Sequence, residues 1–293
     1  MAGSRGRRLA IWLILGALLF VTGVGLTAAF LGRRLPLGGD RVAVITVEGV
    51  IADARDVIEQ FQRYQDLPNV KAVVLRVDSP GGPVAPSQEI YQEILRFRRE
   101  SKKPVVASLG SVAASGGYYI AAAADRIVAN PGSLTGSIGV ILQVPNLSGL
   151  LQKVGIKPTI IKSGDKKDLV SMTRDLTEAE RRILQEVLDD VHGQFIDAVA
   201  AGRHMDRIRV EPLADGRVFS GRQALALGLV DELGNLPDAI GRAGALVGMA
   251  GHPKTIQERR SRFSLWDLLT QGLGFTLSSS GTARSMVLEY LWQ

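Results

Sequence analysis

Residues 104–124 read PVVASLGSVAASGGYYIAAAA. The apolar run Pro104–Leu109 enters small residues, then Ser115, then two glycines and an uncharged, alanine-rich stretch. A valine-rich run bounded by small residues predicts a buried strand, and Gly116–Ala124 predicts a helix that follows it directly. The same alternation recurs on both sides. Further strands are predicted at Val42–Val47, Ala72–Val77, Arg126–Ala129 and Thr159–Ile161. Helical patterns cover Asp53–Gln65, Pro86–Glu100 and Leu147–Val154. Strands alternating with helices predict an α/β domain with a mostly parallel sheet. A longer helix is predicted from Thr177 to Ala201, with Thr177 as N-cap, Glu180 at N3, and apolar spacing from Leu184, Leu188, Val191 and Phe195.

The 293 residues, 46% hydrophobic and 22% charged, suffice for a large core and exclude disordered or collagen-like chains. Cysteine is absent, which excludes disulfides, thiolate catalysis and Cys-ligated metal centres. The net charge of +6 first suggests nucleic acid. Residues 1–41, however, hold six Arg and one Asp, while the remainder carries 29 basic and 28 acidic side chains. A nucleic-acid protein would spread its positive charge over a binding face. Here it flanks a 23-residue run without a charge, Leu9–Leu31, long enough as a helix for a hydrocarbon core of about 30 Å. The run reads as a transmembrane anchor after a basic segment at 1–8. A cleaved signal peptide is the alternative, with Thr27-Ala28-Ala29 as small residues for cleavage. Either reading places the rest of the chain outside the cytoplasm, and the anchor reading makes it a single-pass cell-membrane protein. Residues 32–41 read as a linker, 42–250 as the catalytic domain, and 251–293 as a tail. That tail is expected to be flexible or a short amphipathic helix, and Arg259, Arg260 and Arg262 beside apolar residues suit a membrane surface.

Two stretches carry chemistry. Asp78-Ser79-Pro80-Gly81-Gly82 follows a predicted strand, and its glycines leave backbone N–H groups open to a ligand oxygen. An ordinary strand-to-helix turn explains it equally well. Ser115 precedes a helix, where serine is ordinarily an N-cap. The Ala and Gly around it leave its hydroxyl room, and a helix N-terminus favours an oxyanion. A serine nucleophile needs a base. His192, His204 and His252 read as surface histidines, which leaves lysine, provided burial strips its proton. Lys162, Lys166 and Lys167 follow the predicted Thr159–Ile161 strand, in a charge run that also suits a solvated loop.

The segments DSPGG, SVAASGGYYIAAAAD, NPGSLTGSIGV, KSGDKKD and DGRVFSGRQALALGLVDELG occur in the order seen in signal peptide peptidase A. The chain resembles the short, single-repeat members of this membrane-bound Ser–Lys protease family from about Arg41 to Val247. The resemblance implies a Clp protease/crotonase-like fold of repeated ββα units behind an N-terminal transmembrane helix. It implies Ser115 as nucleophile, Lys167 as general base with Lys166 the neighbouring alternative, and Ser137 as the serine that orients the lysine. Gly82 and Gly116 match the oxyanion-hole positions. Asp168 is expected to point away from the lysine. No metal or cofactor is implied.

By the same resemblance the substrates are cleaved signal peptides left in the membrane and other hydrophobic segments, bound as an added strand. The family forms a homo-oligomer in which neighbouring subunits share a site, so Ser115 and Lys167 are expected from different chains. Two rival readings are an acyl-thioester enzyme of the crotonase type and a catalytically inactive membrane scaffold. The first lacks a basic nucleotide pocket in the sequence, and the second has no need of Ser115, Ser137 and Lys167 together.

Overall fold

The computed structural model describes residues 12, 15–24, 39–258 and 289–291. The chain divides into two units, Met1–Asp40 and Arg41–Gln293. In the first, residues 15–24 are helical and exposed, and most of the expected anchor lies outside the described residues. No helix among the described residues is long and apolar enough to cross a membrane.

Alternating apolar residues explain how the second unit folds. β1 (Arg41–Glu48) sends Ala43, Ile45 and Val47 to one face and Val42 and Val44 to the other. β2 (Val70–Ser79) does the same with Val73, Leu75 and Val77 against Ala72 and Val74. Strands buried on both faces belong to a sheet covered on both sides, and these are parallel to one another. After the short β3 (Gly81–Pro83) comes β4 (Val105–Ala114), then β5 (Arg126–Ala129) and β6 (Leu134–Gly136). β7 (Val218–Ser220), β8 (Glu232–Leu233) and β9 (Lys254–Gln257) complete a sheet of order β7-β6-β4-β2-β1-β9, with β5 and β8 branching from β4. All its pairings are parallel except β6 with β7. The larger core takes helices Arg55–Asp66, Val84–Ser101, Gly116–Ala122 and part of Glu178–Arg203; the smaller lies under helix Leu236–Leu246.

The predicted α/β class holds, and so does the long helix. Thr177 caps it through its side chain, and Glu180 closes the reciprocal bond of a capping box. Two local expectations fail. Thr159–Ile161 is not a strand; it has no ladder partner, and Ile161 is 95% exposed. The stretch after Gly251 is neither loose nor helical at its start, because Lys254–Gln257 adds to the sheet beside β1. The Arg259–Arg262 cluster lies outside the described residues. A separate antiparallel ladder joins β3 to β10 (Glu289–Leu291).

Candidate active site

At Gly110 the central strand changes partner. Residues up to Leu109 pair with β5, whereas Val112–Ala114 pair with β6. Side chains hold the crossing. The Val112 N–H donates to Asp78 Oδ1 at 3.0 Å, and Ser133 Oγ donates to the Gly110 carbonyl at 2.5 Å. A Cβ at position 110 would stand 2.5 Å from the Asp78 carboxyl carbon, so glycine alone lets the strand pass. Asp78, the first residue of the DSPGG stretch, is thus a strut for β4.

The strand stops at Ala114, and Ser115 takes φ 52° and ψ −120°. An L-residue holds such a conformation at a cost of about 1–3 kcal/mol, which its surroundings must offset. They do so on both sides. The Ser115 N–H donates to the Gly136 carbonyl, and its own carbonyl accepts from the Tyr119 N–H, each at 2.8 Å. Although Ser115 stands at the N-cap of helix Gly116–Ala122, its side chain makes no capping bond. The bland role of a serine here is therefore not the one it plays. The helix's first N–H groups have no intrahelical acceptor and remain to be served by something else.

That helix is buried along its whole length. The Tyr118 hydroxyl donates to the Leu229 carbonyl at 2.7 Å, and burial pushes its phenol well above the ordinary range. Tyr119 packs 4.9 Å from both Tyr91 and Phe195, and burial pushes it up to about 12. Two uncharged tyrosines thus fix the orientation of the turn that starts at Gly116.

Gly82 approaches from the other side. A Cβ there would lie 2.5 Å from the Ile51 carbonyl oxygen, and one at Gly117 would lie 2.6 Å from the Ser79 oxygen. Both positions require glycine for close backbone approach. Register explains the neighbourhood: Ser79 stands opposite Ala113, and the Gly116–Ala122 helix contacts β3. Gly82 and Gly116 therefore flank the strand end that carries Ser115.

Ser137 belongs to the same corner. Ala114 pairs with Gly136, and the Ser115 N–H donates to the Gly136 carbonyl at 2.8 Å, so Ser115 and Ser137 follow at neighbouring strand ends. Ser137 is buried, has φ 49°, and donates its N–H to the Arg217 carbonyl at 2.8 Å. It lines a cavity of about 610 Å³ together with Asp189, His192 and Asp215. The Nε2 atom of His192 is buried without a hydrogen-bond partner. Sequence reasoning placed His192 on the surface. Its four-residue spacing from Leu188 on one helix was the signal, since both line this cavity.

The structure does not bring Lys167 to Ser115 within one chain. Lys167 is exposed, its amide bonds the Gly164 carbonyl at 3.1 Å, and no hydrogen bond joins its ammonium to Ser115 or Ser137. Asp168 is turned to other partners, as expected: Lys162 Nζ at 2.5 Å and Arg174 at 3.0 Å. Arg174 also bonds Glu180 at 2.7 Å, and Glu180 accepts from the Thr177 N–H at 2.9 Å. The arm from 140 to 176 is thereby tied to the start of the Glu178–Arg203 helix. Leu150, Val154, Ile156, Ile160 and Ile161 stand exposed along it.

These ion pairs make the arm sensitive to acid. Lys162, then Arg174, hold the Asp168 carboxyl below its ordinary range, and Arg174 with the Thr177 amide does the same for Glu180. A carboxyl whose value is lowered on folding contributes stability above its unfolded value, about 4, and loses it as pH falls through the folded value. We expect the protection factors of residues 162–180, corrected for the intrinsic pH dependence of amide exchange, to be unchanged between pH 7 and 5. They should fall relative to those of β4 below about pH 4.

Comparison with known proteins follows the same residues. The sequence profile of peptidase family S49 matches residues 97–250, a span that holds Ser115, Gly116, Ser137 and Lys167. A Synechocystis sp. protein described as a protease is 46% identical over 210 residues, covering 71% of this chain and 75% of its own. The Enterococcus faecium protein described as signal peptide peptidase SppA is 38% identical, over 68% of this chain and 62% of that one. Protease 4 of Haemophilus influenzae is 35% identical over 71% of this chain, which spans only 35% of that longer protein.

Proposed function

Because the chain belongs to peptidase family S49, and is a peptidase by that membership, we propose that Ser115 is its nucleophile and Lys167 its general base. One observation carries this most. Ser115 is held in a costly backbone conformation at a strand-to-helix junction, yet its hydroxyl does not serve the helix. In the reaction, a neutral lysine takes the hydroxyl proton as Oγ attacks a peptide carbonyl. The N–H groups of Gly82 and Gly116 receive the oxyanion, the lysine passes its proton to the leaving amine, and water releases the acyl group. Ser137 positions the lysine.

The lysine comes from a second copy of the chain. Ser115 is buried while Lys167 is exposed on an arm whose apolar side chains are uncovered, and a neighbour that covers the arm would bury Lys167 at its own Ser115. Burial is also what frees a lysine of its proton. The Leu9–Leu31 run anchors the protein in the membrane with the catalytic unit outside the cytoplasm, beside its substrates. These are cleaved signal peptides and other hydrophobic segments, a reading supported by the signal peptide peptidase relative.

The full chain in detergent micelles tests this. A fluorophosphonate should form one adduct, located by mass at Ser115, and a synthetic signal peptide should be cut. Ser115→Ala should abolish both. A folded protein that neither reacts nor cuts would return the scaffold reading; turnover of acyl thioesters without peptide cleavage would return the crotonase-type one.

A further inference from the structure

The reaction leaves one buried charge unused. Glu93, on the Val84–Ser101 helix, is 4% exposed, and Arg96 bonds its Oε2. Its Oε1 is buried with no hydrogen-bond partner, a costly state for a carboxylate oxygen. Burial raises its carboxyl above the ordinary range, with Arg96 pulling the other way. Glu93 lines a groove of about 620 Å³ between this helix and the Arg55–Asp66 helix. Ile58 and Gln62 form one wall, and Gln88, Glu89 and Gln92 the other. Two carboxylates against the single guanidinium of Arg96 make the groove acidic. The last torsion of a glutamate is broad, so Oε1 turns to meet a donor entering the groove at little strain.

The groove lies where one end of a bound peptide would arrive. β3 leads straight into the Val84–Ser101 helix, with Pro83 as its N-cap, and it pairs antiparallel with the strand it accepts. A peptide held that way with its carbonyl at Gly82 sends its N-terminal side past Pro83, towards the start of this helix. Glu89 and Glu93 are six and ten residues beyond Pro83, about 9 and 15 Å along the helix. An extended chain covers that distance in about three to five residues. We propose that this groove seats a positively charged side chain of the substrate, a few residues ahead of the bond to be cut, and so selects apolar peptides with a basic N-terminal end. The inference rests on the reading of Ser115 and Gly82 as the catalytic centre. A signal peptide has this chemistry, a positively charged segment followed by an apolar one. Its lysine or arginine donates to Glu93 Oε1 in a charge-assisted bond, with the side-chain carbonyls of Gln62 and Gln92 to accept its other N–H groups.

The test uses the full chain in detergent micelles and three fluorogenic peptides that share one apolar segment. The first carries lysines four and five residues before the cleaved bond, the second has glutamines there, and the third carries its lysines after the bond. KM for the first should lie about tenfold below the other two, with kcat within about twofold. Gln92→Lys, at an exposed position, puts a fixed cation in the groove; it should remove that advantage and leave the glutamine peptide within about twofold. Glu93→Gln should do the same, and its unchanged turnover of the glutamine peptide shows that the fold is intact. Equal KM for the three peptides, or an advantage that survives both variants, would overturn the proposal. So would a loss shared by all three peptides with a fall in oligomer mass, which would make the groove a contact between copies. If the protein does not react with a fluorophosphonate, the serine reading fails instead. Fluorescence anisotropy of the same peptides on Ser115→Ala then still decides whether the groove selects charge.

Discussion

Ser115→Ala is expected to lower kcat by about 10⁴-fold or more, the scale seen when a nucleophile is removed from a serine peptidase. Stability should barely change. The Ser115 side chain makes no capping bond, so alanine loses no helix contact, and it bears the same strained φ of 52°. The matched variant Ser115→Gly separates the two roles of the position. It also removes the nucleophile, but glycine accepts positive φ without strain, so the protein should become more stable by about 1 kcal/mol. Urea unfolding midpoints beside steady-state rates measure both. A Ser115→Ala protein keeping more than about a hundredth of the activity contradicts the assignment, because the oxyanion donors alone cannot supply that much.

Lys167→Met should cost about 10³–10⁴-fold in kcat/KM, the contribution of a positioned general base together with the nucleophile it activates. Methionine keeps the length and apolar stem and removes only the amine. Stability of the single chain should not move, since Lys167 is exposed and its side chain bonds neither Ser115 nor Ser137. The neighbouring lysines provide the contrast. Lys166→Met should change kcat/KM by no more than about twofold, as expected of an exposed charge outside the reaction. Lys162 bonds Asp168 and the Asp165 carbonyl, so Lys162→Met should loosen the arm and raise exchange over 162–168 before it affects chemistry. If Lys166→Met is the damaging change instead, the base is the preceding residue.

What could be read from the sequence follows from where each signal resides. The Val-rich runs of β1, β2 and β4 and the capping box of Thr177 and Glu180 are local, and they appear in the structure close to where their pattern put them. Ser115 was legible because a serine followed by two glycines sits between a strand and a helix; its positive φ was not. The elements that escaped depend on partners far away in the chain or outside it. Lys254–Gln257 becomes a strand because the edge of β1 accepts it. Thr159–Ile161 has strand-forming residues and joins no sheet edge among the described residues. His192 lines a cavity beside the residues that follow β6 and precede β7, and a single four-residue spacing from Leu188 was too slight a signal to place it there. The β10–β3 ladder is shorter still, and three residues carry too little pattern to be seen.

The shared site is tested most directly by mixing two dead proteins. Ser115→Ala retains the lysine and Lys167→Met retains the serine, and neither should cut a signal peptide alone. When the two are unfolded together, refolded into micelles and assembled at equal amounts, a site with both groups intact forms wherever a Lys167→Met chain receives the arm of a Ser115→Ala chain. Random assembly of a symmetric oligomer then restores about a quarter of the unmutated activity. The account predicts that recovery. Mixed oligomers that form, verified by two different tags on one particle, and yet stay inactive would contradict it, because serine and lysine would then have to come from the same chain.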